Sequence, residues 1–160
     1  MLFDEILGQE HLRQMIQSAI DKNSFPQSNI IVDKDQYGGL HFALAMSEQL
    51  LFDKQNKQED LLNHPDLHFV FPVATTSKVK TKPISKNFLS DWRSLLDENP
   101  YFSVFDWLKH IGVENKQGLI SVEESAHVLK DLSLKPYESE TRIMLIWICL
   151  LYTSPSPRDS

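Results

Sequence analysis

Eight residues in the first quarter of the chain follow the outline of a phosphate-binding loop without its chemistry. A short β-branched run, Asn29-Ile30-Ile31-Val32, leads into Asp33-Lys34-Asp35-Gln36-Tyr37-Gly38-Gly39-Leu40, and a helical apolar period follows. Strand, glycine loop and helix in that order aim backbone N–H groups and the positive end of a helix dipole at one point, where an anion can sit. A working loop of the form G-x-x-x-x-G-K-[ST] adds a lysine for the terminal phosphates and a hydroxyl for magnesium. Gly38 keeps the second glycine, but Asp33 stands at the first, Gly39 at the lysine position and Leu40 at the Ser/Thr position. Gly39 brings no charge, Leu40 cannot ligate magnesium, and Asp33 and Asp35 repel a triphosphate. Lys34 is a cation in the wrong place. The stretch therefore reads as a vestigial phosphate loop, with no catalytic residue, no bound cofactor and no metal expected. A competing reading keeps ATP hydrolysis through Lys34 in an unorthodox loop, and a strand, a loop and a helix with two glycines is also a common piece of plain structure.

Other residues invite sharper readings. His64, Asp66 and His68 alternate, so on a strand they would share one side, and imidazole with carboxylate suits zinc or iron. A polar strand entry accounts for the same residues without metal. His64-Pro65-Asp66 also matches the tripeptide of J-domain co-chaperones, but that tripeptide sits between two helices and a strand is expected here. Lys78, Lys80, Lys82 and Lys86 form a basic run that could touch DNA phosphate or an acidic partner, or simply be a solvated loop. Trp92, Trp107 and Trp147 fall on apolar faces, where packing explains them. His11, His41, His110 and His127 are scattered and read as surface residues.

The elements that would position these residues alternate along the chain. Leu12, Met15, Ile16, Ala19 and Ile20 mark one helix face, and Leu40, Ala43, Leu44, Leu50 and Leu51 another. Residues 29–32 read as a first strand, and 67–71 as a second with Leu67, Phe69 and Phe71 on one face. Residues 53–63 and 74–83 read as polar connections. Phe88, Leu89, Trp92, Leu95 and Leu96 define a third helix, and a short one is expected over 103–110. Ser121-Val122-Glu123-Glu124 has the form of a capping box that opens a helix with Ala126, Leu129 and Leu132 inward. The unbroken apolar run 143–148 reads as a strand covered on both faces. Alternating strands and helices predict an α/β fold with helices on both sides of a parallel sheet.

The 160 residues are enough for one domain with a real core. Net charge of -6 argues against nucleic-acid binding over the whole surface. Leu2 to Leu7 is interrupted by Asp4 and Glu5, and no run of about 18 apolar residues occurs, so neither a signal peptide nor a membrane span is expected. Cys149 is the single cysteine, which excludes an internal disulfide. A cytoplasmic setting is expected.

Several segments, in order over residues 1–148, resemble the delta-prime subunits of bacterial DNA polymerase III clamp loaders, members of the AAA+ class. Phe3-Asp4-Glu5-Ile6-Leu7-Gly8-Gln9-Glu10 is similar to their N-terminal box, and Phe25-Pro26-Gln27-Ser28 to the lead into their first strand. His64-Pro65-Asp66-Leu67-His68 resembles the opening of their second strand, Gly118 to Glu124 the lead into the next helix, and Arg142 to Trp147 the strand of the Walker B region. Phe71 to Thr76 and the helix at Trp92 resemble an insertion found in some members. The resemblance implies a three-layer αβα P-loop NTPase (AAA+) fold with a parallel sheet, and a subunit that does not hydrolyse ATP. It also implies partners: the clamp-loader ATPase subunits and the delta subunit, and through them the sliding clamp and primed DNA. Many such subunits carry a zinc-binding cysteine cluster after the second helix. Phe52 to Asn63 has no cysteine, so no zinc is expected. No arginine here matches the arginine finger of these subunits, whose expected place is beyond this chain.

Residues 149–160, Cys149-Leu150-Leu151-Tyr152-Thr153-Ser154-Pro155-Ser156-Pro157-Arg158-Asp159-Ser160, resemble a translated sequencing adapter. They are set apart from a partial AAA+ domain over 1–148 that is expected to break off inside its sheet. A natural Ser/Pro-rich terminus has the same composition. A further reading follows, in which the fragment has no function and its open sheet edge invites aggregation.

Overall fold

The computed structural model describes residues 2–6, 8–34, 38–52 and 60–148. Along them run α1 (Leu2–Glu5), α2 (Glu10–Asp21), α3 (Gly39–Leu51), β1 (Leu67–Val70), α4 (Leu89–Glu98), α5 (Val104–His110), α6 (Val122–Ser133) and β2 (Ile143–Ile146), with 3-10 turns at Leu61–Asn63 and Ser85–Phe88. β1 and β2 form a two-stranded sheet. Ile143 N–H donates to the Asp66 carbonyl and Trp147 N–H to the Val70 carbonyl, both at 2.8 Å. Donor and acceptor numbers rise together by four, so the strands run parallel. The architecture is mixed helix and strand, compatible with α/β. Among the described residues, no helix is long and apolar enough to cross a membrane. The tail over 149–160 lies outside the described residues.

The described residues divide into two compact units, those up to 68 with 135–143, and 69–134 with 144–148. In the first, Phe3, Ile16, Phe42, Ala45 and Met46 form the core, with Leu12, Ile20 and Phe25 packed around them. This follows from the helical periods of α2 and α3, although Met15 faces solvent. The N-terminal box contributes through Phe3, whose ring lies 5.5 Å from that of Phe42. The Leu2 N–H donates to Glu48 in α3 at 2.9 Å.

The second unit is built on aromatic rings. Trp92 on α4 touches Phe69, Phe71, Phe102, Trp107 and Trp147, and stacks on Phe71 at 4.3 Å and 17°. Each such pair contributes about 0.5–1.5 kcal/mol beyond its burial. Trp107 donates its indole N–H to the Pro72 carbonyl at 2.8 Å, whereas the indole N–H of Trp92 is buried without a partner. α5 starts on a complete capping box: Ser103 accepts from the Asp106 N–H, and Asp106 accepts from the Ser103 N–H. The Ser103 N–H and the Ser103 hydroxyl both donate to the Asp106 carboxylate, at 2.9 and 2.8 Å, and hold it below the usual carboxylate range; Lys109 adds to them against a smaller burial effect.

Four expectations are overturned. His41, read as a surface residue, is buried in α3. The run 29–32 forms no strand; Ile30 is 80% and Val32 76% exposed. A β-branched run becomes a strand only where a neighbour accepts its backbone hydrogen bonds, and among the described residues β1 pairs with β2 alone. β2 is half-buried rather than covered on both faces, and Ile146 is exposed. The helix over 122–133 forms, but Ala126, Leu129 and Leu132 all face outward and Leu129 is 71% exposed. Its buried residues are Glu124 and Asp131. The Glu124 carboxylate accepts from the buried Ser85 N–H at 2.6 Å, and Asp131 pairs with Lys86 at 3.1 Å. The Ser85 N–H would be stranded in the interior without the Glu124 carboxylate, and this charged hydrogen bond favours turning the Glu124 face inward over burying the three apolar side chains.

Candidate functional site

The helix end at Gly38-Gly39 is the place where the sequence pattern would put phosphate. α3 begins at Gly39, and its first N–H groups have no partner within the helix. Asp33 fills the position. One oxygen, Oδ2, accepts from the Gly38 N–H at 2.9 Å and from the Gly39 N–H at 2.7 Å. The carboxylate has the charge and the acceptor geometry of a phosphate oxygen, so the chain supplies its own anion to the helix dipole. Gly39 allows the approach: a Cβ there would lie 2.9 Å from the Asp33 Cβ and 3.2 Å from Oδ2. Leu40, at the position where a hydroxyl would meet magnesium, is buried in the first unit. Lys34 is exposed. Asp35, Gln36 and Tyr37 lie outside the described residues.

Sequence reasoning took Asp33 as a repellent of phosphate and missed its role as the group that occupies the seat. The available signal was an Asx-type residue five positions ahead of a glycine pair that opens a helix. The preceding segment 29–32 is not the strand expected to hold the loop.

A second carboxylate is bound more deeply. Asp66, fully buried, accepts from the backbone N–H groups of Tyr137 at 2.5 Å and of Glu138 and Ser139 at 2.8 Å, and from the Ser139 hydroxyl at 3.1 Å. Burial alone would raise the Asp66 carboxyl. The N–H groups of Ser139, Tyr137 and Glu138 and the Ser139 hydroxyl together outweigh it and hold the group far below the usual carboxylate range. Arg142 lies 3.8 Å from Asp66, donates to the Lys135 carbonyl at 2.6 Å and meets His68 Nε2 at 2.9 Å. Arginine can only donate, so His68 Nε2 is the acceptor and His68 is neutral in this arrangement.

These contacts separate the residues of the metal and J-domain readings. His64 accepts the Asp66 N–H through Nδ1 at 3.0 Å, Asp66 is committed to the 137–139 turn, and His68 to Arg142. Among the described residues no three potential ligands converge on a metal position. His64 follows a 3-10 turn and precedes a strand, which differs from a tripeptide between helices.

The lysine run is also divided. Lys86 pairs with Asp131 at 3.1 Å on α6, whereas Lys82 makes only a 4.0 Å contact with Glu123 between exposed groups. Lys78 and Lys80 remain exposed on a turn held by Thr76, whose hydroxyl accepts from the Lys78 and Val79 N–H groups.

No family model, curated protein or solved structure matches the chain.

Proposed function

We propose that the chain is a delta-prime-like, non-hydrolysing subunit of a DNA polymerase III clamp loader, with a three-layer P-loop (AAA+) arrangement as its parent fold. The observation that carries the reading is the Asp33 carboxylate seated on the Gly38 and Gly39 N–H groups. A subunit that works by shape rather than by ATP turnover can fill its phosphate seat with its own side chain. The ordered resemblances over residues 1–148 supply the identity of the ring, and the parallel β1–β2 pair is compatible with the parent fold. The partners in this reading are the clamp-loader ATPase subunits and the delta subunit, with the sliding clamp and primed DNA reached through them.

The test is co-assembly. The chain, mixed with the ATPase and delta subunits of a bacterial clamp loader, is expected to enter a complex visible by native mass spectrometry. It is expected to do so equally well as the Lys34→Ala variant. Failure to assemble would count against the clamp-loader role. Loss of assembly or of ATP turnover specifically on changing Lys34 would favour an active ATPase with an unorthodox loop.

A further inference from the structure

The outward face of α6 has a regular pattern. Val122, Ala126, Leu129 and Ser133 are spaced 4, 3 and 4 apart, all exposed, with Val122 at 85%. That is the spacing of a coiled-coil seam. Glu124 and Asp131, seven apart, are the buried positions and lie on the opposite side of the helix, so the seam points directly away from the second unit's body. Leu132 flanks one side of the seam and is exposed. Glu123 and Lys130, also seven apart, flank the other.

We infer that the α6 seam pairs antiparallel with α6 of a second copy of this chain. The argument is self-complementarity of charge. In an antiparallel pair related by a two-fold axis, one flank of a helix meets the same flank of its partner. With the axis beside Ala126, Glu123 of each copy faces Lys130 of the other, giving two equivalent ion pairs. The small side chain then sits at the crossing, where backbones come closest. The helix dipoles oppose, which favours the same orientation. Glu123 also has Lys82 at 4.0 Å, a contact between exposed groups that competes only weakly. Three large apolar side chains per copy fall short of the roughly 1,000 Å² at which stable interfaces begin, so the pair is weak and concentration-dependent.

Sedimentation equilibrium of the full chain over a wide concentration range tests this, with circular dichroism confirming that each variant folds. A reversible monomer–dimer equilibrium is expected, weakened about tenfold or more by Leu129→Lys. Glu123→Lys and Lys130→Glu should each weaken it several-fold, and the double exchange should restore it. In a Cys149→Ser background, Ala126→Cys should form a disulfide-linked dimer and Ser133→Cys should not, because two-fold pairing about Ala126 places the two 133 positions about 20 Å apart. A monomer at every concentration, association indifferent to Leu129→Lys, charge exchange without rescue, or equal cross-linking at 126 and 133 would each overturn the inference.

Discussion

Asp33 and Asp66 perform the same chemical act in two settings. Each carboxylate gathers neighbouring backbone N–H groups that no secondary structure satisfies. Asp33 reaches five and six residues ahead, at a partly exposed helix start. Asp66 is fully buried and reaches 71 to 73 residues ahead, into the turn that precedes β2. The local contact closes a loop at little entropic cost and fixes little beyond it. The distant one joins the entry of β1 to the entry of β2, where Ile143 takes the Asp66 carbonyl as its first ladder partner. Similar hydrogen bonds therefore cap a helix start in one place and join two strand entries in the other.

The largest expected effect comes from Asp66→Asn. It removes a buried charge from its three N–H donors and from Arg142, and the loss is expected to be roughly 3–5 kcal/mol in chemical denaturation. A loss below about 1 kcal/mol, the size of a surface cap, would erase the distinction from Asp33. Arg142→Met comes next, at about 1–3 kcal/mol, because it frees the Lys135 carbonyl and the His68 nitrogen but leaves the N–H cradle intact.

The same contrast appears in pH. The folded-state value of Asp66 is lowered by its N–H donors, so its contribution is fully present above the unfolded carboxylate value of about 3.9. It is lost progressively as pH falls below that toward the lowered folded value. Denaturation midpoints followed from pH 6 to about 2 should fall more steeply for the wild type than for Asp66→Asn.

Asp33→Ala should cost only about 1 kcal/mol, the value of a helix-start cap. A finer experiment turns on Gly39. Gly39→Ala should destabilise the wild type, since its Cβ would meet the Asp33 side chain at 2.9 Å. In an Asp33→Gly background the same change should stabilise, by up to about 1 kcal/mol of helix propensity. Additive behaviour in that cycle would mean that the two residues do not share the seat.

Much of the helical framework was legible from periodicity. The faces of α2 and α3 carry Ile16, Leu40 and Leu44 inward, and α4 buries Trp92 and Leu96. The start of α6 at Ser121 was legible from its cap, since Ser121 accepts the Glu124 N–H, but the expected capping box is only half formed: the Glu124 carboxylate accepts from the Ser85 N–H instead of closing back on Ser121. The orientation of α6 was not legible, because it depends on a Ser85 N–H 39 residues away that needs the Glu124 carboxylate. Local period reports that a helix has an apolar side; it cannot report that a buried donor elsewhere demands the charged side. Residues 29–32 failed for a related reason. β-branched composition favours a strand only where another strand lies beside it. At the site, the missing lysine and hydroxyl could be read directly, but the filling of the seat by Asp33 requires the folded loop.

Titration of magnesium-ATP into the wild-type chain, with turnover followed in the same samples, tests the central claim most directly. With Asp33 on the Gly38 and Gly39 N–H groups, neither saturable binding nor hydrolysis is predicted, and Lys34→Ala should behave as the wild type does. Saturable binding or hydrolysis that disappears in Lys34→Ala would contradict the account.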